Sequence, residues 1–206
     1  MGRTSDAKER LLRAMSDLMW QNSYGSVTID MICQEAQVKK GSFYYFFKSK
    51  SDLAIAALDK MWGDIKPTLD EIFSPSLPPL ERIFRKMDFA YTETVEVKEK
   101  YGRVLGCPYV TLASEVSGIE PAILERIRFH LKNYHRYIVS AIREAKAEGL
   151  VEVDNPDMAA QCLFHLYEGM LTEARIQNDP EVLRALRPAA FNLLRVTKDA
   201  SVPTAA

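Results

Sequence analysis

Cysteine is scarce in this 206-residue sequence: Cys33, Cys107 and Cys162 are widely separated and odd in number, which argues against a disulfide framework. No apolar run approaches the roughly 20 residues needed to cross a bilayer. The N-terminus also lacks the apolar stretch of a signal peptide, so a cytoplasmic location is expected. Neither sign of charge dominates. With 27 Lys+Arg against 28 Asp+Glu the formal charge is -1 and the pI near 6.3, so affinity for a polyanion has to come from a local patch. Catalytic signatures are missing too: there is no phosphate-cradling glycine loop, dinucleotide fingerprint or Ser-His-Asp context. His130 and His135 are five apart, off the i, i+4 spacing of a helical metal pair, and Cys162 with His165 supplies only two isolated ligands. No enzyme activity, metal or cofactor is expected.

What is present is an ordinary globular composition, 47% hydrophobic and 27% charged, long enough for a proper core in one or two domains. Apolar spacing predicts an all-α chain with no convincing strand. A first helix spans about 5–22, burying Leu11, Leu12, Met15, Leu18 and Met19, and Tyr24-Gly25-Ser26 ends it. A long helix from Ser49 to about Phe73 is expected to bend, or to restart, at Pro67. Ser74-Pro75-Ser76-Leu77-Pro78-Pro79 is the clearest break. Further helices are predicted over about 80–98, 108–117, 121–147, 156–177 and 181–196, with a turn at 149–153 and a frayed tail over 197–206.

The most informative stretch is Val27 to Leu53. Thr28 is placed to cap a helix whose Ile29, Ile32, Cys33 and Ala36 form one apolar stripe, with Asp30 in the first turn near the positive end of the dipole. After a turn at Val38, a second short helix runs from about Lys39 to Phe46. Its Phe43, with Phe46 and Phe47, can pack back onto that stripe, leaving Lys39, Lys40, Ser42, Tyr44 and Tyr45 facing away. From Gln37 to Ser51 there are lysines and no acidic residue, so this face is cationic. Ser49 opens the next helix with Asp52 at capping-box spacing, and Lys50 sits in its first turn, where it suits a phosphate oxygen. A basic helix-turn-helix of this kind points to DNA. Phosphate contacts are expected from Thr28, Tyr44, Lys48 and Lys50, and base contacts from Lys39, Lys40, Ser42 and Tyr45, of which the two tyrosines cannot share a face. Gly41 lacks a side chain that would impede approach to DNA or to a neighbouring helix.

At Val38-Lys39-Lys40-Gly41-Ser42-Phe43-Tyr44-Tyr45-Phe46-Phe47-Lys48-Ser49-Lys50-Ser51-Asp52-Leu53 the sequence resembles the signature of the TetR family of bacterial transcriptional regulators. The likeness extends back through Gly25-Ser26-Val27-Thr28-Ile29 and Ala7-Lys8-Glu9-Arg10-Leu11-Leu12-Arg13-Ala14. It implies a three-helix DNA-binding head over 5–65 (motif 28–47) and a helical ligand-binding and dimerisation body over 66–206. It further implies a homodimer on operator DNA, paired through its last two helices and released by a small-molecule inducer. The apolar faces Ala159, Cys162, Leu163, Leu166, Gly169, Met170, Glu173 and Leu183, Leu186, Ala190, Leu193, Leu194 suit that pairing.

The body is less explicit. Trp62, Met87, Tyr91, Tyr109, His130 and Tyr134 are candidate ligand-pocket residues, with Met87/Tyr91 and His130/Tyr134 each one turn apart and preferred as the polar and apolar pocket walls. Cys107, in Gly106-Cys107-Pro108-Tyr109, stands at the cap of a helix with proline first. There the helix end, Lys100 and Arg103 favour a thiolate. This element is similar to one in the NemR-like, electrophile-responsive sub-branch of the family, making Cys107 a candidate sensor, whereas Cys33 and Cys162 look inert. A small buried cysteine is the competing reading, and an activator or a redox-only regulator is the alternative function.

Overall fold

The computed structural model describes residues 3–197, with side chains from residue 6. Its described part is all-α: α1 Arg3–Gln21, α2 Ile29–Glu35, α3 Lys40–Phe46, α4 Lys50–Ile72, α5 Pro79–Tyr101, α6 Pro108–Val116, α7 Pro121–Ala147, α8 Pro156–Gln177 and α9 Leu186–Leu193, plus 3-10 turns Tyr24–Ser26 and Pro180–Ala185. Two compact units result. The first holds the chain to Lys66 together with Pro108–Leu131; the second holds Pro67–Cys107 and the chain from Lys132 onward. Residues 108–131 therefore group with the N-terminal elements rather than with their sequence neighbours.

In the first unit the core is built on Leu11, Met15, Ile32, Phe43, Leu53, Leu58, Leu112, Ile123 and Ile127, all essentially inaccessible. Local chemistry starts the elements at the expected places. The Thr28 hydroxyl accepts from Met31 N at 3.2 Å, and Ser49 Oγ accepts from Asp52 N at 3.0 Å. A carboxylate from α6 then ties down the turn before α2: Glu115 accepts from the Tyr24 and Gly25 amides at 2.8 and 2.7 Å and from the Ser23 hydroxyl. Neighbouring Glu120 accepts from Tyr24 and Ser51. Burial alone would push the Glu115 carboxyl up, but these donors and nearby Lys50 outweigh it and hold it below its usual value.

In the second unit Arg82, on α5, is buried. It donates to the carbonyls of Leu77 (2.7 Å) and Pro75 (3.1 Å) and to Glu144 (2.7 Å), which anchors the proline-rich break to α5 and α7. Left-handed Asn178 ends α8, and its Oδ1 accepts from Val104 N at 2.9 Å.

Several boundaries differ from the sequence reading. Pro67 starts no new segment: α4 continues through it to Ile72, because proline removes one amide donor while packing retains the rest. The predicted helix over 181–196 is a 3-10 turn followed by only eight α-helical residues. Pro188, in the first turn of α9, has no amide for the carbonyl four residues back and blocks a continuous α-helix there. The turn at 149–153 does more than reverse the chain. Val151 bridges antiparallel to Val196, with Glu152 N donating to Arg195 O at 3.1 Å and Thr197 N to Leu150 O at 3.0 Å. Thr197 is thus tied down, and the rest of the predicted tail lies outside the described residues.

Phe43 is the core residue on which α3 depends. Phe43→Ala should lower the stability of the first unit by about 3–5 kcal/mol, whereas Tyr45→Ala, at a 73% exposed position, should change it little. Chemical denaturation followed by circular dichroism measures both, and equal losses would contradict this packing.

Candidate functional site

Two groups of side chains have the chemistry of a site, one in each unit. The first is the face of α3. With Phe43 and Phe47 buried and Phe46 half-buried, the helix turns Lys40, Gly41, Tyr44 and Tyr45 outward, Tyr44 at 55% and Tyr45 at 73% exposure. Both phenols are braced edge-on, Tyr44 against Phe43 (5.2 Å between centroids) and Tyr45 against Phe46 (4.8 Å). Lys39, the predicted helix start, stands exposed at the N-cap of α3, which begins one residue later, and Lys48 is exposed beyond its C-cap. Ser42 is half-buried. Lys40 pairs with Asp30 of α2 at 2.8 Å, an exposed contact that solvent screens. A Cβ on Gly41 would meet nothing within 4 Å, so the absence of a side chain there serves no neighbouring helix.

Lys50 departs from expectation. Rather than standing free for a phosphate, its Nζ donates to the carbonyls of Tyr24 and Val27, both at 2.9 Å, and lies 4.1 Å from the Tyr24 ring centroid. These carbonyls of the turn face the first turn of α4 and need a donor, so this lysine braces the motif from within. Thr28 likewise spends its hydroxyl on the cap while staying exposed.

The predicted pocket residues fall in both units. Trp62, Tyr109 and His130 belong to the first unit. His130 is buried, stacked on Trp62 (5.4 Å) and edge-on to Tyr109 (5.7 Å), with Nε2 2.8 Å from Asp59. Arg126 grips the same carboxylate, and Tyr109 donates to Leu58 O at 3.1 Å. Burial lowers the His130 pKa despite Asp59. This is the arrangement of a core histidine with an acidic partner. Met87 is buried in the second unit, and the Tyr91 phenol there bonds to Glu181 (2.6 Å) and Arg184 (2.7 Å).

The second group lies where Cys107 is. Gly106 has φ +81°, a left-handed conformation that glycine adopts without strain, and it presents Cys107 just before Pro108 opens α6. The thiol donates a hydrogen bond to Glu168 of α8, and Lys86 of α5, which the sequence did not point to, also acts on it. Lys86 is 4% exposed and makes no hydrogen bond or ion pair among the described residues. Its Nζ lies 4.6 Å from the Tyr167 ring centroid, 5.4 Å from Phe89 and 5.8 Å from Tyr134. Burial pushes the Lys86 ammonium down, the Tyr134 and Tyr167 phenols and Glu93 up, and Glu168 up to about 7. The second oxygen of Glu168 is buried without a hydrogen-bond partner. Sequence reasoning found Cys107 and Tyr134 here and missed Lys86, Glu93, Tyr167 and Glu168. A signal existed: Lys86 is three residues after Ile83 and four before Ala90, on the buried face of α5. Cys162, read as part of an apolar stripe, is exposed; Cys33 is buried.

An exposed basic and aromatic helix held by two others is a nucleic-acid interface in kind, and comparison with known proteins specifies it. The model for bacterial regulatory proteins of the tetR family matches residues 11–57, and that for the tetracyclin repressor-like C-terminal domain matches 79–190, more than half of the chain. The chain belongs to the TetR family. It is a DNA-binding transcriptional regulator, and its matched families and relatives are regulators rather than enzymes. TetR-family relatives include the transcriptional regulator AcuR of Cereibacter sphaeroides, 28% identical over 87% of this chain and 81% of that protein. The transcriptional repressor NemR of Escherichia coli is 26% identical over 86% of this chain and 88% of its own length. A TetR-family regulatory protein from Rhodobacter sphaeroides has a solved structure that superposes with a TM-score of 0.80 at 27% identity, covering 91% of this chain and 98% of that one. Reduced E. coli NemR shares the fold at a TM-score of 0.80, covering 94% and 99%.

Glu168 gives the second unit a signed pH dependence. Its value of about 7 in the fold exceeds the roughly 4.3 of an unfolded glutamate, so the folded chain binds more protons between those limits. Its contribution is full below the unfolded value and is lost as pH rises through about 7. Glu93, also raised by burial, acts in the same direction. Thermal midpoints of Glu168→Gln should therefore fall less steeply than wild type between pH 5 and 8; parallel profiles would remove Glu168 from this role.

Proposed function

We propose that the chain is a homodimeric repressor that holds operator DNA with α3 of each protomer and releases it when an inducer or electrophile acts in the C-terminal part. The observation that carries this reading is the outward face of α3, where Lys39, Lys40, Tyr44 and Tyr45 stand exposed with Lys48 close in sequence. In this reading residues 5–65 are the DNA-binding head, with the motif over 28–47, and residues 66–206 are the ligand-binding and dimerisation body. Lys39, Lys40, Ser42 and Tyr45 read base edges, with Gly41 allowing close approach, while Thr28, Tyr44 and Lys48 meet phosphates. Lys50 supports them by bracing the turn ahead of α2. No described helix is long and apolar enough to cross a membrane, which agrees with action on DNA in the cytoplasm.

Pairing through the last two helices is supported by an uncovered apolar band on α8. Met158 (56% exposed), Cys162, Gly169 and Ile176 (80% exposed) recur at helical spacing, with half-buried Leu166 between them. A two-fold dimer sets the separation of the recognition helices to the spacing of adjacent half-sites. NemR is named a repressor, and the likeness to it favours repression over activation here. The trigger is assigned to Cys107, with Tyr134 beside the same cluster. Its thiol meets a carboxylate that can take its proton, and α6, which carries Glu115, begins at the next residue. An electrophile that alkylates the sulfur breaks the bond to Glu168 at the start of that helix.

Three measurements test this. With an operator selected from random DNA, Lys48→Ala should weaken binding to all sequences and reduce the slope of log affinity against log salt by about one. Lys39→Ala should cost about 1–3 kcal/mol and relax preference at one base position. Ile176→Glu should sediment as a monomer and lose tight operator binding; a persistent dimer would rule out the α8 interface. Because Cys162 is exposed, the electrophile test is made in a Cys162→Ser background: N-ethylmaleimide should release DNA from it, and equal release after the further change Cys107→Ser would rule Cys107 out as trigger.

A further inference from the structure

We infer that Lys86 is a carbonyl-trapping amine: its Nζ forms an imine with a small aldehyde or ketone, with Glu168 moving the protons. The geometry is that of a caged nucleophile. The amine is buried, three aromatic rings surround it at 4.6 to 5.8 Å, and it has no hydrogen-bonding or ion-pairing partner among the described residues. The ring faces and the carboxyl groups of Glu93 and Glu168 favour the ammonium, but burial outweighs them and shifts the balance toward the neutral amine, which is the nucleophilic form. Glu93, Cys107, Tyr134, Tyr167 and Glu168 keep part of their surface accessible, so the cage is not sealed.

The neighbouring carboxylates select the class of ligand. Glu93 and Glu168 both act on Lys86, so a second anion would be repelled while a neutral carbonyl would not. The step balances without an oxidant or reductant: Nζ adds to the carbonyl carbon, the carbinolamine oxygen is protonated and leaves as water, and Nζ loses its protons to form C=N. Glu168, with one buried oxygen unpartnered and a value near 7, can give and take those protons at neutral pH. This inference does not rest on the role proposed for Cys107.

The test uses the full-length protein with propionaldehyde and sodium cyanoborohydride, which reduces an imine to a stable propylamine, followed by peptide mapping. One propyl group should accumulate on Lys86 of the folded wild type faster than on the exposed lysines. The label should persist in Cys107→Ser, and Glu168→Gln should slow it by about tenfold or more. Label confined to the exposed lysines of the wild type would overturn the inference without reference to any variant. Loss of the Lys86 label in Cys107→Ser would overturn it as well, by making the thiol the primary acceptor. Release of DNA by N-ethylmaleimide concerns the thiol alone, so the two readings fail separately.

Discussion

The burial of Phe43 and Phe47 is the constraint from which the rest of the first unit follows. A seven-residue helix is too short to be stable by its own hydrogen bonds, so α3 exists because its aromatic face packs into the core with Leu11, Ile32, Leu53 and Leu58. Once that face is fixed, the helical period decides that Lys40, Gly41, Tyr44 and Tyr45 point outward together. Glu115 and Lys50 complete the frame from opposite charges, one accepting amides and the other donating to carbonyls of the turn that precedes α2. The head is thus positioned by groups that need not touch DNA themselves.

The second unit contains the opposite kind of constraint. Lys86 occupies a position where the pattern of α5 demands an apolar side chain, and the fold tolerates it by surrounding its ammonium with ring faces and two carboxyl groups. A buried polar cluster of this sort weakens a domain unless its charges are matched, and matched charges are sensitive to any added group. The neighbourhood of Cys107 holds such a cluster, in contrast to that of Asp59, Arg126 and His130, where the Asp59 carboxylate already has two partners.

Legibility in the sequence tracked the range of the interaction. Thr28 and Ser49 caps, the stripe of α2 and the aromatic spacing of α3 are local, and they could be read directly. The split before α9 was also encoded locally, in Pro188, but the apolar spacing over 181–196 masked it. Lys50 could not be placed, since its partners are the carbonyls of Tyr24 and Val27, 26 and 23 residues away. The same holds for Cys107, since Lys86 of α5 and Glu168 of α8, which act on it, lie 21 and 61 residues away.

By itself, the sequence determined the class of fold, the helix-turn-helix and the cationic character of its exposed face, because these depend on periodicity and on capping within a few residues. It also carried the family signature over residues 38–53. Only the tertiary structure decided which lysines remain outward, that residues 108–131 group with the N-terminal elements, and that Lys86, Cys107 and Glu168 meet. Those outcomes depend on contacts between helices far apart in the chain, where burial and pairing, rather than local propensity, choose the partner of each charge.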